Sequence, residues 1–323
     1  MSEGNGHREL RTEPLEFRLP IPSQAEVLTP APRPPLRTAL VLFVLTVIST
    51  LAVGTEFALA YASNRAPFAE GFDFYSAILR DPGLLLLGIP FSFTLLGILL
   101  AHELGHYFAC RFYGIQASYP YFLPFPSIIG TMGAFIRIRS PIVNRTALFD
   151  VGLAGPVVGF LFAVPAAAIA IVYSKALPAN PATTLIAFGN PPLFHLFAAI
   201  LRPDVPIDSI FLHPVGRAAW VGLFATALNL LPMGQLDGGH IVYAVASERH
   251  RAISLGCAFL LMVLGMSFWD GWYVWAILPL LLGLRHPRLL DRWEPLSPGR
   301  TAWAVVAMLI FFFCFTPTPI AVR

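Results

Sequence analysis

The chain has 323 residues, of which 56% are hydrophobic and 12% charged, with a formal net charge of +3. That balance excludes a soluble globular domain, which carries about twice this share of charge and gives its surface helices a polar face. A mean hydropathy of +0.70 calls instead for several helices of about 20 apolar residues each, enough to cross a bilayer, and so for an all-α polytopic membrane protein. The basic residues are scattered over short loops and leave no footprint for nucleic acid, which is not expected as a partner.

In chain order, residues 1–36 are polar and then proline-rich, with no apolar core of signal-peptide type, and are expected to form a disordered or extended arm. Residues 37–317 read as one integral membrane domain and 318–323 as a short tail. Within that domain the apolar runs place spans at 38–62, 84–112, 148–173, 215–233, 252–269, 271–285 and 302–317. The count is seven, or six if the pair around "SFWDGWYVW" is not two helices. There Asp270 and Gly271 suggest a tight hairpin facing water, with aromatic residues at the membrane interface. Cys110, Cys257 and Cys314 are far apart in apolar contexts, which points to small buried hydrophobes and to neither a disulfide framework nor a thiolate metal cluster.

Alternate loops differ in their Lys and Arg content. One side receives Arg33 and Arg37, the group Arg111, Arg137, Arg139 and Arg145, then Arg249 and Arg251, then Arg285, Arg288, Arg292 and Arg300. The other receives Arg65, Arg80, Lys175, Arg202, Arg217 and Arg323. The excess assigns the first side, with the N-terminus and the carboxyl end of the second span, to the cytoplasm.

That end carries "AHELGHYFAC", residues 101–110. His102 and His106 are four apart, so on a helix they lie one turn apart on one face and can bind one zinc ion through imidazole nitrogens. Glu103 can stay uncoordinated and accept a proton from water activated by the metal. The competing reading is a polar cluster satisfied by interhelical hydrogen bonds, but ionisable groups within a span are costly and usually functional. A catalytic zinc site needs a third protein ligand. The stretch "NLLPMGQLDGGH", residues 229–240, offers Asp237 or His240. Asp237 is favoured by its place after the helix breakers Pro232 and Gly234 and before Gly238 and Gly239; its plainer role would be to cap the following helix. The topology brings both stretches to the same depth.

With "HELGH" at 102–106 and "NLLPMGQLDGGH" at 229–240 on either side of an outgoing span, the chain resembles the site-2 protease family of intramembrane zinc metalloproteases over about residues 84–300. The resemblance implies a catalytic core of three transmembrane helices, about 84–240, with His102, His106 and Asp237 as ligands of one zinc ion per chain. It further implies Glu103 as catalytic acid and base, Asn229 as a contact for the substrate chain, and membrane-anchored protein substrates cut within their transmembrane segments. "AFIRIR", residues 134–139, looks like a strand of a short hairpin, similar to the family's membrane-associated sheet. The 174–214 loop is too short for a PDZ domain, which is closest to the bacterial and plastid-type branch and suggests a bacterial inner membrane. In that loop "PPLFHLFAAIL" could lie on the outer interface. His195, His213, Asn144 and Asp150 read as structural, loop or cap residues, and Glu56 as an interfacial residue near the outer end of the first span. Two alternatives are a polytopic metal-binding transporter and an inactive scaffold of the same fold.

Overall fold

The computed structural model describes residues 36–142, 144–177, 186–282, 289 and 295–322. The arm expected over residues 1–36 lies outside these apart from Leu36, as do Arg285, Arg288 and Arg292. Helix α1 (Leu36–Ser63) is followed by the short α2 (Phe74–Arg80), and a 3-10 turn, Pro82–Gly88, leads into α3 (Ile89–Phe112). A hairpin of β1 (Tyr121–Pro124) and β2 (Thr131–Phe135) precedes α4 (Arg145–Tyr173). Next come β3 (Lys175–Ala176), β4 (Ile186–Phe188), α5 (Pro192–Leu201) and β5 (Ile210–Phe211). The chain continues through α6 (Pro214–Asn229), α7 (Asp237–Ala246), α8 (His250–Ser267), α9 (Gly271–Leu282), α10 (Pro298–Cys314) and β6 (Ile320–Val322). The chain is thus a mainly helical polytopic membrane protein, as its composition demands.

By length and composition, α1, the stretch Pro82–Phe112, α4 and α8 can each cross a bilayer, four of the described helices. The expected span 215–233 is cut short. Pro232 lacks an N–H for the helical ladder and Gly234 turns left-handed at φ +57°, so α6 stops at Asn229 after 16 residues. Sixteen residues rise about 24 Å, less than the roughly 30 Å of hydrocarbon, so α6 alone is too short to cross a bilayer, and a loop, then α7, follows it. The helix starts are chemically explicit. Asn144 caps α4 by accepting the Ala147 N–H at 2.8 Å, and His213 Nδ1 caps α6 by accepting the Val215 N–H at 3.2 Å. Asn144 thus takes the cap role expected of it and His213, expected to be structural, caps as well, while His195 stands on the exposed face of α5. Asp150 is neither loop nor cap: one turn into α4, it pairs with Arg300 at 2.8 and 2.9 Å and accepts the Tyr113 hydroxyl, tying α10 and the end of α3 to α4.

Helices α3, α4 and α6 pack on one another as the central bundle, and α1 packs antiparallel to α3. The antiparallel pairing of α1 and α3 shows in the Thr50 and Ser92 hydroxyls, 2.7 Å apart, and in the close approach of Gly54 to Gly88. Lipid supplies no hydrophobic force between helices, so small residues must let them approach. A Cβ on Gly105 of α3 would sit 2.6 Å from the Ala154 carbonyl oxygen of α4.

The hairpin is placed a few residues upstream of the expected "AFIRIR" strand. Its ladder pairs Tyr121 with Phe135, Phe122 with Ala134 and Pro124 with Thr131, and beyond it Ala117 bridges Ile138. Just past the end of the ladder, the Ile136 N–H faces the Glu103 carboxylate. The turn of the hairpin reaches the middle of α1, where Gly130 abuts the Ser49 carbonyl and the Ser49 hydroxyl faces the Phe125 carbonyl at 3.4 Å. Irregular backbone at such depth survives where protein surrounds it.

On the opposite side β3 pairs with β5, and β6 from the expected tail pairs with β4. Helix α5 buries Leu193, Phe194 and Ala198 and packs on α4 and α10, so its apolar face meets protein. The tryptophans near the α8–α9 link turn inward: Trp272 is 1% exposed and its indole N–H donates to the Pro317 carbonyl at 2.7 Å. Cys110 and Cys314 are buried and Cys257 half-buried, all unbridged.

Glu56 is also inward, only 2% exposed, and accepts Arg65 Nη1 and Nη2 at 2.7 and 2.8 Å and the Phe68 N–H at 2.8 Å. These bonds hold the Arg65 guanidinium more firmly protonated than usual and staple the loop after α1 onto that helix. Arg65→Ala strands the buried carboxylate and is expected to cost about 3 kcal/mol, read as a lowered unfolding midpoint of the purified protein in detergent.

Candidate metal centre

His102 lies ten residues before the end of α3, about 15 Å of helix rise from that end. The i, i+4 spacing puts His102 and His106 on one face, and both are buried, at 5% and 6% exposure. The short loop after α6 brings Asp237, the first residue of α7, to the same point. Leu236 occupies the N-cap position and makes no side-chain cap, so Asp237 does not serve as the cap. Asp237 Oδ2 is 3.3 Å from His102 Nε2 and 3.2 Å from His106 Nε2, and the two imidazole nitrogens are 3.1 Å apart.

This triangle tests the fit of a metal directly. Tetrahedral zinc bonds nitrogen and oxygen donors at about 2.0–2.1 Å, which separates neighbouring donors by about 3.3 Å. The three observed edges, 3.1–3.3 Å, match that separation, and a triangle leaves the fourth tetrahedral position open. The donor set, two imidazoles and one carboxylate, is ordinary for zinc. His106 Nδ1 donates to the Val151 carbonyl at 2.7 Å, which fixes the tautomer and leaves the Nε2 lone pair facing the other donors. Among the described residues these three form the group able to hold a metal ion.

The other expected site residues surround the triangle. Glu103 is buried at 5% exposure but stays out of it. It lines a cavity of about 200 Å³ with Ile136, Asn229, Gln235 and Asp237, and the Ile136 N–H orients its carboxylate. Asn229, the last residue of α6, sets its amide 3.2 Å from His102 Nε2. His240, the alternative third ligand, stands on the cavity wall, outside the group of three that could hold a metal among the described residues.

Three features of the site escaped sequence reasoning. The first is the glycine face of α4. A Cβ on Gly155 would lie 2.1 Å from His106 Nε2, and one on Gly159 3.0 Å from His102. "GLAGPVVG" places Gly152, Gly155 and Gly159 at i, i+3 and i+7, a spacing that signals one helix face and could have been read as room for imidazole rings. The second and third, the Val151 carbonyl and the Ile136 N–H, are backbone groups with no residue signature.

Comparison with known proteins follows this geometry. The model of Peptidase family M50 matches residues 90–268. The chain is 31% identical over 240 residues to "Probable zinc metalloprotease EGY1, chloroplastic" of Arabidopsis thaliana, covering 70% of this chain and 42% of that protein. It is 30% identical over 199 residues to "Probable zinc metalloprotease EGY2, chloroplastic" of the same plant, covering 59% and 34%. To "Probable zinc metallopeptidase EGY3, chloroplastic", also from Arabidopsis thaliana, it is 26% identical over 250 residues, covering 71% and 43%. The chain therefore spans less than half the length of these relatives. No solved structure matches it.

Gly155→Ala is expected to abolish metal binding, because the new methyl group occupies the place of the His106 ring. Gly97→Ala, where a Cβ meets nothing within 4 Å, is expected to bind normally. Zinc content of the two purified variants checks both.

Proposed function

The chain belongs to Peptidase family M50, and from that premise we propose that it is an intramembrane zinc metalloprotease. Its substrates are membrane-anchored proteins, cut at peptide bonds within their transmembrane segments. The observation that carries the reading is the triangle of His102, His106 and Asp237 donors with the uncoordinated Glu103 beside it, where α3, α4 and α7 meet. Residues 84–240 act as the catalytic core of a single membrane domain, 37–317.

His102, His106 and Asp237 hold one zinc ion. Bound there, zinc lowers the pKa of water toward neutrality and polarises a carbonyl group. Glu103 takes the proton released as water attacks the carbonyl carbon, and passes it to the nitrogen of the leaving amine as the C–N bond breaks. The Ile136 N–H keeps the Glu103 carboxylate turned to the cavity. The Asn229 amide, beside His102 and on the cavity wall, offers a donor and an acceptor to the backbone of the bound substrate chain. Strand β2 lies next to Glu103, so a substrate segment in extended form can pair beside it.

The gathering of ligating side chains at one point favours hydrolysis over a transporter, which would distribute acids and histidines along a path. Retention of Glu103 beside a complete ligand set favours an enzyme over an inactive scaffold. The helices make the chain an integral membrane protein. The arginine excess supports an orientation with the N-terminus and the mouth of the site on the same, cytoplasmic side of a bacterial inner membrane; the relatives named above are chloroplastic and do not speak for that membrane. Tags beside Ser2 and Arg323 are expected on opposite faces, and modification by one impermeant reagent from the same side overturns the orientation.

Glu103→Gln is expected to keep its zinc and lose cleavage of model transmembrane peptides by a factor of at least about 100. Asp237→Ala is expected to lose cleavage and to hold zinc only weakly. Full cleavage by Glu103→Gln removes the proposed mechanism.

A further inference from the structure

The third ligand arrives on a loop, and a loop inside a membrane holds its shape only through its backbone partners. The peptide groups flanking Gly234, three residues before Asp237, are gripped from outside the three-helix core. The Gly234 N–H donates to Ser254 Oγ at 3.2 Å, and the Gly234 carbonyl faces His250 Nε2 at 3.2 Å, a contact that requires the proton on that nitrogen. Ser254 and His250 are four apart on α8, so they lie one turn apart on one face and address the same loop residue from both sides. Both are buried, at 0% and 3% exposure.

The loop transmits that grip to the metal ligand. Gly234 sits at φ +57°, a conformation that glycine adopts without strain. A Cβ on Gly239 would be 2.4 Å from the Gly234 carbonyl oxygen, and one on Gly238 2.1 Å from the Leu230 carbonyl oxygen. The first turn of α7 therefore rests directly on the loop, and Asp237 cannot shift independently of Gly234. Two polar side chains at the start of a membrane-crossing helix, where apolar residues would be cheaper to bury, converge on this one residue.

We infer that His250 and Ser254 are positioning residues for the metal centre: α8 fixes the Gly234 turn and thereby sets the place of the Asp237 carboxylate. This rests on Asp237 being a zinc ligand, as proposed above. Partners behind a ligand commonly alter metal affinity by about 10–100-fold, which sets the scale of the expected effect.

The test measures zinc affinity of the full-length protein in detergent by competition with a chromophoric chelator. His250→Ala is expected to weaken zinc at least about tenfold, Ser254→Ala to weaken it in the same direction, and His250→Gln, whose amide can still donate to the Gly234 carbonyl, to restore much of the loss. In an Asp237→Ala background, adding His250→Ala is expected to change the residual affinity little, because the ligand it positions is gone. An equal loss in both backgrounds, or wild-type affinity in both His250→Ala and Ser254→Ala, overturns the positioning role. Unchanged zinc affinity in Asp237→Ala alone instead overturns the ligand assignment on which it stands. Should His250→Ala fail to fold, Ser254→Ala and His250→Gln carry the same comparison.

Discussion

Three donor atoms, two nitrogens and a carboxylate oxygen, meet within 3.3 Å of one another in a medium with little water to screen them. His106 Nδ1 commits its proton to Val151, so Nε2 and the Asp237 oxygen face each other in an arrangement that needs a second proton or a metal ion between them. The surrounding structure is what imposes this meeting. Helix α3 supplies both imidazoles on one face, α4 gives up side chains to make room for them, and the break after α6 turns the carboxylate back toward α3. A relaxed bundle of oily helices has no reason to do any of these things.

The work is divided unevenly among the helices. The imidazoles ride on regular helix, where spacing alone fixes their relation and neighbouring glycines admit the rings. The carboxylate rides on irregular backbone, whose freed N–H and carbonyl groups must find partners that the core does not supply. Helix α8 supplies them at Gly234, so a helix that contributes no ligand still shapes the centre. The same logic explains Glu103. The Ile136 N–H, just past the end of β2, faces its carboxylate, so the segment that follows the hairpin also borders the site.

Much of this was legible in the chain because it rests on periodicity and composition. The long spans of α1, α3, α4 and α8 follow from apolar length, and the joining of "HELGH" with "LDGG" follows from counting crossings. Asp237, at the break visible in the sequence, stands with His102 and His106 in the group that could hold a metal among the described residues. The misreadings have a common cause. Glu56 read as interfacial because a carboxylate near a span end suits water, and only the fold shows Arg65 turning back to it. Trp272 read as an interface anchor by residue type, whereas its indole finds a carbonyl 45 residues away. The span 215–233 read as continuous because hydropathy does not register a helix that stops and resumes. Hydropathy averages over side chains, and these outcomes were decided by single hydrogen bonds between distant segments.

The void beside Glu103 measures about 200 Å³. Its wall joins side chains from α3, α6 and α7 to Phe135, Ile136 and Ile138, at and just past the end of β2. Segments far apart along the chain thus bound one small chamber, and its dimensions are a property of how they dock on one another and of no single helix.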